Sequence, residues 1–126
     1  MAVLTYKDPR WKVIYKLTFQ TTKDAFGAPR IVIYDNRDGI KHYFADLTTS
    51  LGLEKPKHSG GIFLDLGDLS EDFLRFLENN DLIKRTNEFL KKAGHLFQVA
   101  VVNYQHLNQF INPDKPYDYG QTDLYR

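Results

Sequence analysis

Residues 61–83, GIFLDLGDLSEDFLRFLENNDLI, contain a short apolar run followed directly by an amphipathic segment. The run IFLDL predicts a short strand, and the apolar residues that recur at helical spacing after it predict a helix. Asp68 stands three residues before Glu71, which is the spacing of a capping box, so we expect Asp68 to cap this helix. Asn79 and Asn80 predict its end, because asparagine tolerates the left-handed conformation found there. The apolar stripe of the helix is formed by Leu69, Phe73, Phe76 and Leu77.

Upstream of this stretch, apolar and polar residues alternate, which indicates β-strands. The segment RWKVIYKLTF (residues 10–19) alternates with period two and predicts a half-buried strand. The segments RIVIY (30–34) and IKHYFADLTT (40–49) predict two more strands. Between them, Asp38-Gly39 predicts a tight hairpin, because glycine adopts positive φ without steric cost.

Downstream of this stretch, the sequence predicts a second helix and a last strand. The segment DLIKRTNEFLKKAG (81–94) has apolar residues at helical spacing, lysines near its end and a closing glycine. The segment HLFQVAVV (95–102) then predicts a strand. The element order β-β-β-β-α-α-β is typical of the α+β class. We therefore expect an antiparallel or mixed sheet of about five strands with one or two helices on one face.

The length and composition are those of one globular domain. The chain has 126 residues, a formal net charge of +1 and no cysteine, so disulfides, thiolate metal sites and a cysteine nucleophile are excluded. We expect residues 1–103 to form a single α+β domain, and residues 104–126 to form a C-terminal tail packed on the domain or on a partner. Neither a signal-peptide core nor an 18-residue apolar run is present, which predicts a cytoplasmic protein without membrane contact.

Motifs that would carry chemistry are missing from the sequence. The four histidines have no metal-binding spacing, and no serine stands in a G-x-S-x-G turn. Phosphate-binding glycine loops are also missing. We therefore expect no catalytic, metal-binding or cofactor-binding residues, no cofactor and no enzymatic activity. A small hydrolase is the last-ranked alternative, since it would need a cleft that gathers distant carboxylates and histidines.

Two sets of residues are candidates for contact with a partner. Residues 61–81 carry six carboxylates and one arginine. Capping and the helix dipole account for three of these carboxylates. Three more lack a local structural role, and the tail contributes tyrosines, which are favoured at interfaces. The candidates are Asp65, Glu78, Asp81, Tyr117, Tyr119 and Tyr125.

Nucleic acid is an alternative partner for the basic N-terminal strand. In that strand Trp11 and Tyr15 are interleaved with Lys12 and Lys16, and binders of single strands combine stacking aromatics with basic residues. Because neighbouring side chains of a strand face opposite sides of a sheet, however, these aromatics and lysines cannot share one face. The alternative function is therefore an RNA- or single-stranded-DNA-binding domain, ranked below protein binding.

Three segments carry a resemblance to a known group of proteins: IVIYDNRDGIKHYFADLTTSLG, IFLDLGDLSEDFLRFLENNDLI and AGHLFQVAVV. Together they resemble small accessory domains without assigned function on plasmids, conjugative elements and phages, over roughly residues 30–102. The longer N-terminal strand, the KRTNEFLKKA segment and the tail depart from that pattern. The resemblance brings no catalytic residues with it. It implies an accessory protein of a mobile element that binds a protein, such as a host nucleic-acid-handling or defence protein, and it leaves homo-oligomerisation open.

Overall fold

Seven strands and two helices organise residues 2–111, the part of the chain that the computed structural model describes. The strands are β1 (Leu4–Lys7), β2 (Ile14–Lys23), β3 (Pro29–Arg37), β4 (Ile40–Asp46), β5 (Gly61–Asp65), β6 (Ile83–Lys92) and β7 (His95–Val102). The helices are α1 (Glu71–Asn79) and the short α2 (Tyr104–Leu107), followed by a 3-10 turn at Asn108–Phe110. No helix in this range is long and apolar enough to cross a membrane.

The strands form two antiparallel sheets. The four-stranded sheet has the order β1-β2-β3-β4, and the three-stranded sheet has the order β5-β7-β6. The α+β class and the antiparallel pairing are confirmed. The expected single sheet of about five strands and the order β-β-β-β-α-α-β are wrong. One added strand is β1, in which Leu4 and Tyr6 pair with Leu17 and Tyr15 of β2 and face the core.

The first predicted strand begins four residues later than its alternation suggests. A turn occupies its first part: the Asp8 carboxylate accepts a hydrogen bond from the N–H of Arg10 (2.8 Å), and the N–H of Lys12 donates to the Asp8 carbonyl (2.8 Å). Lys12 has a φ of 54°, and the side chain of Trp11 is 69% exposed. Trp11 therefore does not join the buried face that the alternation predicts, since the chain reverses before β2 starts.

The hairpin between β3 and β4 is confirmed. Asp38 and Gly39 both have positive φ, 51° and 74°, and Arg37 pairs with Ile40 across the two-residue turn. This is the geometry of a type I′ turn, whose twist matches that of the flanking strands.

The predicted second helix is wrong, because its residues form β6 and the turn into β7. Lys92 pairs with His95, while Ala93 and Gly94 have φ values of 52° and 81°, so a second type I′ turn closes this hairpin. A register shift between Arg85 and Phe89 interrupts the pairing. That bulge breaks the period of two, and the remaining apolar positions then match helical spacing. Gly94, expected as a helix end, instead supplies the positive φ of the hairpin.

Helix α1 is confirmed, although its cap differs from the expected one. The hydroxyl of Ser70 accepts a hydrogen bond from the N–H of Phe73 (3.2 Å), so Ser70 is the N-cap, and the capping box of Asp68 and Glu71 is wrong. Ser70 occupies the N-cap position because the helix starts two residues later than a cap at Asp68 would require. The helix ends at Asn79 with Asn80 as its C-cap, so the predicted position is correct, but its reason is wrong: Asn80 has a φ of −95°, and the left-handed residue is Asp81, with a φ of 60°.

One apolar cluster joins the inner face of the four-stranded sheet to α1, α2 and the three-stranded sheet. Its fully buried members include Leu17, Ile33, Leu64, Leu77 and Leu107. Leu107 comes from α2, and Ile111 makes an isolated bridge with Phe19 of β2, so residues 104–111 pack on the domain.

A smaller apolar cluster lies on the other face of the three-stranded sheet. Phe63, Phe97 and Val99 form it, and Leu51 of the β4–β5 loop packs against it. Glu88 of β6 anchors that loop, because its carboxylate accepts hydrogen bonds from the N–H of Lys57 (2.8 Å) and of His58 (3.1 Å). The loop thereby covers apolar surface that β5 and β7 would otherwise expose.

The β6–β7 turn generates a prediction that separates a hairpin from a helix, because the two give opposite signs for the change in the free energy of unfolding. We expect Ala93→Gly to raise the free energy of unfolding by about 0.5–1 kcal/mol, because glycine relieves the strain of a left-handed alanine. In a helix the same change would cost about 1 kcal/mol. Urea denaturation measures it, with Ala100→Gly in the buried part of β7 as a control that we expect to destabilise. Destabilisation by Ala93→Gly would contradict the hairpin.

The shared core generates a second prediction. Leu64 is fully buried in β5, whereas Leu53 in the β4–β5 loop is 83% exposed. We expect Leu64→Ala to lower the free energy of unfolding by about 2–5 kcal/mol, because it leaves a cavity between the layers. The matched control Leu53→Ala should change it by less than about 0.5 kcal/mol. Similar losses in the two variants, measured in urea, would argue against this arrangement of the core.

Candidate functional site

A polar cleft of about 510 Å³ lies beside the end of β4. Its walls come from the start of β3, the end of β4, the loop after β4, the end of β5 and the residues before α1. Four carboxylates line it: Asp24, Asp46, Asp65 and Asp68. Arg30 is the basic residue of this lining. The cleft therefore carries an excess of negative charge and favours a cationic ligand.

Asp24 is held in its carboxylate form. It follows β2, and its Oδ1 accepts hydrogen bonds from the N–H of Phe26 (2.8 Å) and of Ala28 (2.9 Å). Burial by itself would raise the pKa of Asp24, but the hydroxyl of Ser50 and these two N–H groups outweigh it and lower the pKa. A carboxyl group with a lowered pKa is a fixed negative charge rather than a proton donor at neutral pH.

Asp65 is the buried carboxylate of the cleft. It ends β5, is 7% exposed, and its Oδ1 accepts a hydrogen bond from the N–H of Gly67 (2.9 Å). The Nδ1 atom of His95 lies 3.3 Å from its Oδ2. These contacts hold the turn that leads from β5 towards α1, so Asp65 has a local structural role that the sequence did not reveal.

Asp46 and Asp68 are the exposed carboxylates of the cleft. The hydroxyl of Tyr43 donates to Asp46 Oδ2 (3.0 Å), and Arg30 lies 3.5 Å from Asp46 Oδ1. Burial and the neighbouring Asp46 together raise the pKa of Tyr43, so its hydroxyl stays protonated as a donor. Solvent reaches both carboxylates, and a ligand can approach them without displacing core residues.

The free edge of β4 borders this cleft. Within residues 2–111, β4 is the last strand of its sheet and pairs only with β3. An edge strand presents backbone N–H and C=O groups to any extended chain that approaches it. Tyr43 at 62% and Ile40 at 59% are the large exposed side chains of this strand. The edge and the acidic cleft together form a surface with both backbone and charged groups.

The sequence-predicted candidates do not form one site. Asp65 lines the cleft, but Glu78 lies in the last turn of α1 and Asp81 just after it, at the other end of a helix that is about 13 Å long. Asp81 has a φ of 60° and accepts a hydrogen bond from the Asn103 amide (3.3 Å). Tyr117, Tyr119 and Tyr125 lie outside the described residues.

Glu78 binds an arginine, Arg85, that no sequence pattern singles out. Arg85 of β6 donates from Nε to Glu78 Oε1 (3.0 Å), and from Nη1 and Nη2 to the two carboxylate oxygens of Glu71 (2.8 and 2.7 Å). Its hydrogen bonds lower the pKa of Glu71. This clamp joins α1 to β6 and neutralises much of the acidic helix face. The sequence does not reveal this clamp, because its pattern places residue 85 in a second helix rather than in β6.

The cleft carboxylates among the described residues are not arranged as a metal site. Over residues 2–111, no group of three or more potential metal ligands is placed to hold an ion. The lining carboxylates come from the β2–β3 turn, β4, β5 and the approach to α1. No sequence motif connects positions so far apart, so only the folded chain reveals them as a group.

Comparison with known proteins gives this cleft no precedent. The chain matches no protein-family model, no curated protein and no solved structure. The function of the cleft therefore has to be argued from its own charge and geometry.

The Arg85 clamp generates a prediction for stability. We expect Arg85→Met to lower the free energy of unfolding by about 1–3 kcal/mol, because it removes the guanidinium donors of the half-buried Glu78 and leaves it the backbone N–H of residue 85, at 3.3 Å. The control is Arg75→Met: Arg75 is exposed and reaches only Glu71, at 3.5 Å, so its loss should cost less than about 0.5 kcal/mol. Urea denaturation at pH 7 measures both.

The pH dependence of the stability lost in Arg85→Met tests whether the ion pairs of Arg85 cause that loss. Because the pKa of Glu71 is lowered in the folded chain, its contribution is complete above its ordinary value of 4.5 and is lost as the pH falls through the folded pKa. The difference between wild type and Arg85→Met should therefore shrink below about pH 4.5. A difference that stays constant in acid would show that packing of the arginine stem, and not the ion pairs, accounts for it.

Proposed function

We propose that this chain is a non-enzymatic accessory protein that binds a basic segment of another protein at the acidic cleft and the adjoining edge of β4. One observation carries the proposal: four carboxylates from distant parts of the chain line a single cleft that contains one arginine. That arginine, Arg30, already lies against Asp46. A lysine or arginine side chain of a partner would complete the charge balance of the cleft.

The edge of β4 supplies the second part of the binding mode. An extended partner segment can add to a free strand edge through main-chain hydrogen bonds, while its alternate side chains enter neighbouring pockets. Here the pocket beside the end of β4 is the acidic cleft. A basic side chain would enter between Asp46 and Asp68 as the partner backbone pairs with β4. Backbone pairing gives affinity, and the carboxylates select the charge of the side chain.

The ionised state of Asp24, one of the four cleft carboxylates, favours binding over acid–base catalysis at that residue. A general acid at neutral pH needs a carboxyl group whose pKa is raised. The pKa of Asp24 is lowered instead, and a fixed negative charge is what recognition of a cation requires. The negative cleft would also steer a basic partner during encounter, an effect that weakens as salt is added.

The sequence resemblance supplies a biological setting for this proposal. Residues 30–102 resemble accessory domains of plasmids, conjugative elements and phages, and the proposed partner is a protein with a basic, exposed segment. Proteins that handle nucleic acid carry such segments, because they neutralise phosphates with lysine and arginine. A host nucleic-acid-handling or defence protein is therefore the partner class that we propose.

Neutralising the exposed carboxylates tests the cleft. We expect Asp68→Asn and Asp46→Asn each to weaken binding of a fluorescent ten-residue oligo-arginine peptide about two- to five-fold, the range of an exposed ion pair. Fluorescence anisotropy at low salt measures the Kd. The affinity of the wild-type chain should fall as salt rises.

The matched control is Asp38→Asn. Asp38 lies in the β3–β4 turn, at the far end of β4 from the cleft, and asparagine tolerates its positive φ. It removes the same charge and should leave the Kd unchanged. If all three variants lose affinity alike, the peptide responds to net charge only. If an oligo-glutamate peptide binds as tightly as oligo-arginine, the proposal is wrong.

A further inference from the structure

The four-stranded sheet has a second face, here called the outer face, that does not contribute to the shared core. Leu17, Phe19, Ile31 and Ile33 point into that core. Because side chains alternate along a strand, the residues between them point outward. The outer face is polar, and the side chains that matter below are Lys16, Arg30, Tyr34, Asn36, Lys41 and Tyr43.

Two tyrosines stand side by side on the outer face. Tyr34 of β3 and Tyr43 of β4 are partners in the strand register, so their side chains are direct cross-strand neighbours. Tyr43 is 62% exposed, and Tyr34 is half-buried. The ammonium group of Lys41 lies 4.2 Å from the centre of the Tyr34 ring. An exposed aromatic ring with a cation beside it is an element of surfaces that bind unpaired bases.

Basic side chains flank the tyrosine pair on both sides. On one side, Asn36 pairs with Lys41 of β4 and donates a hydrogen bond to the carbonyl of Lys16 of β2 (3.1 Å), so these three residues form a row across three strands. On the other side lies Arg30, whose neighbour Asp46 is the carboxylate of this face. The face therefore combines stacking surface with an excess of positive charge.

We propose that the outer face binds single-stranded RNA. A base would stack on the exposed ring of Tyr43, and phosphates would contact Lys16, Lys41 and Arg30. Tyr34, whose ring already carries the Lys41 ammonium, supports Tyr43 from the neighbouring strand. Within β2, the lysine and the aromatic residue are on opposite faces, as for Tyr15 and Lys16. The sheet resolves that conflict, because β2 supplies Lys16, β3 supplies Tyr34, and β4 supplies both Tyr43 and Lys41. The surface differs from the acidic cleft, although the two share Arg30, Tyr43 and Asp46 at their boundary.

Asn36 favours RNA over DNA. Its amide nitrogen donates to the Lys16 carbonyl (3.1 Å) and to Thr18 Oγ1 (2.9 Å). Both hydrogens are thereby directed at the protein, so its carbonyl oxygen is the group that accepts from a ligand. The 2′-hydroxyl of ribose is a donor that DNA lacks. The position of Asn36, between the two lysines and beside Tyr34, places that acceptor where a ribose would lie.

Fluorescence anisotropy with labelled twelve-nucleotide oligo-U tests the proposal on the full chain. We expect Tyr43→Ala to weaken binding about ten-fold, whereas Tyr43→Phe, which keeps the ring, should stay within about two-fold of wild type. Lys16→Gln combined with Lys41→Gln should reduce the slope of log affinity against log salt by about 1.4, since each phosphate contact contributes about 0.7. The control, Lys91→Gln combined with Lys92→Gln in the β6–β7 hairpin, should leave the slope unchanged.

Three outcomes would overturn the proposal. They are an absence of oligo-U binding at low salt, equal affinity of Tyr43→Ala and wild type, and oligo-dT binding as tight as oligo-U. If the wild-type chain dimerises through this face without binding RNA, its occupant is a second copy instead. The variant Asp46→Asn keeps the two surfaces distinguishable, because it should tighten oligo-U binding while it weakens oligo-arginine binding.

Discussion

Burial of one apolar cluster between the four-stranded sheet and the layer of α1 and the three-stranded sheet is the constraint on which the rest of the structure depends. Each sheet has one face that must leave water, and neither can do so alone. Packing the two together fixes the end of β5 beside the end of β4, since Leu64 and Leu47 enter the same cluster. That placement brings Asp65 and Asp68 into the same cleft as Asp46, although the sequence separates them. The acidic cleft is thus a consequence of core packing.

The sequence predicts those elements whose local signals agree with their tertiary setting. The β3–β4 hairpin has alternating strands and an Asp-Gly turn, and α1 has an apolar stripe with an asparagine end, so their positions follow from local rules alone. The sequence of strand β6 fits a helix and a strand equally well. Its bulge conceals the alternation, and Gly94 suits both a helix end and a type I′ turn. Only the pairing of β6 with β7, a non-local interaction, decides between them.

The candidate site could be predicted only in part, for a related reason. Asp65, Glu78 and Asp81 stood out because no local rule explained them, yet each has a role that depends on a distant residue or turn. Glu78 is satisfied by Arg85 of β6, and Asp81 by Asn103 after β7. Of the three, Asp65 alone lies in the cleft. An acidic segment of sequence is therefore weak evidence for an acidic surface, because the fold can supply the compensating cations.

The positive and negative side chains of this chain are separated on different surfaces of the fold rather than in different segments of the sequence. A net charge of +1 argues against a strongly electrostatic partner when the chain is taken as a whole. The fold instead places carboxylates in the cleft at one end of β4 and lysines with tyrosines on the outer face of the same sheet. Arg30 and Asp46 meet at the boundary and partly neutralise each other, so the negative cleft and the positive outer face stay separate. A protein that exposes a basic segment next to the single-stranded RNA it carries would complement both surfaces at once: its basic segment would bind the acidic cleft, and its RNA would bind the outer face.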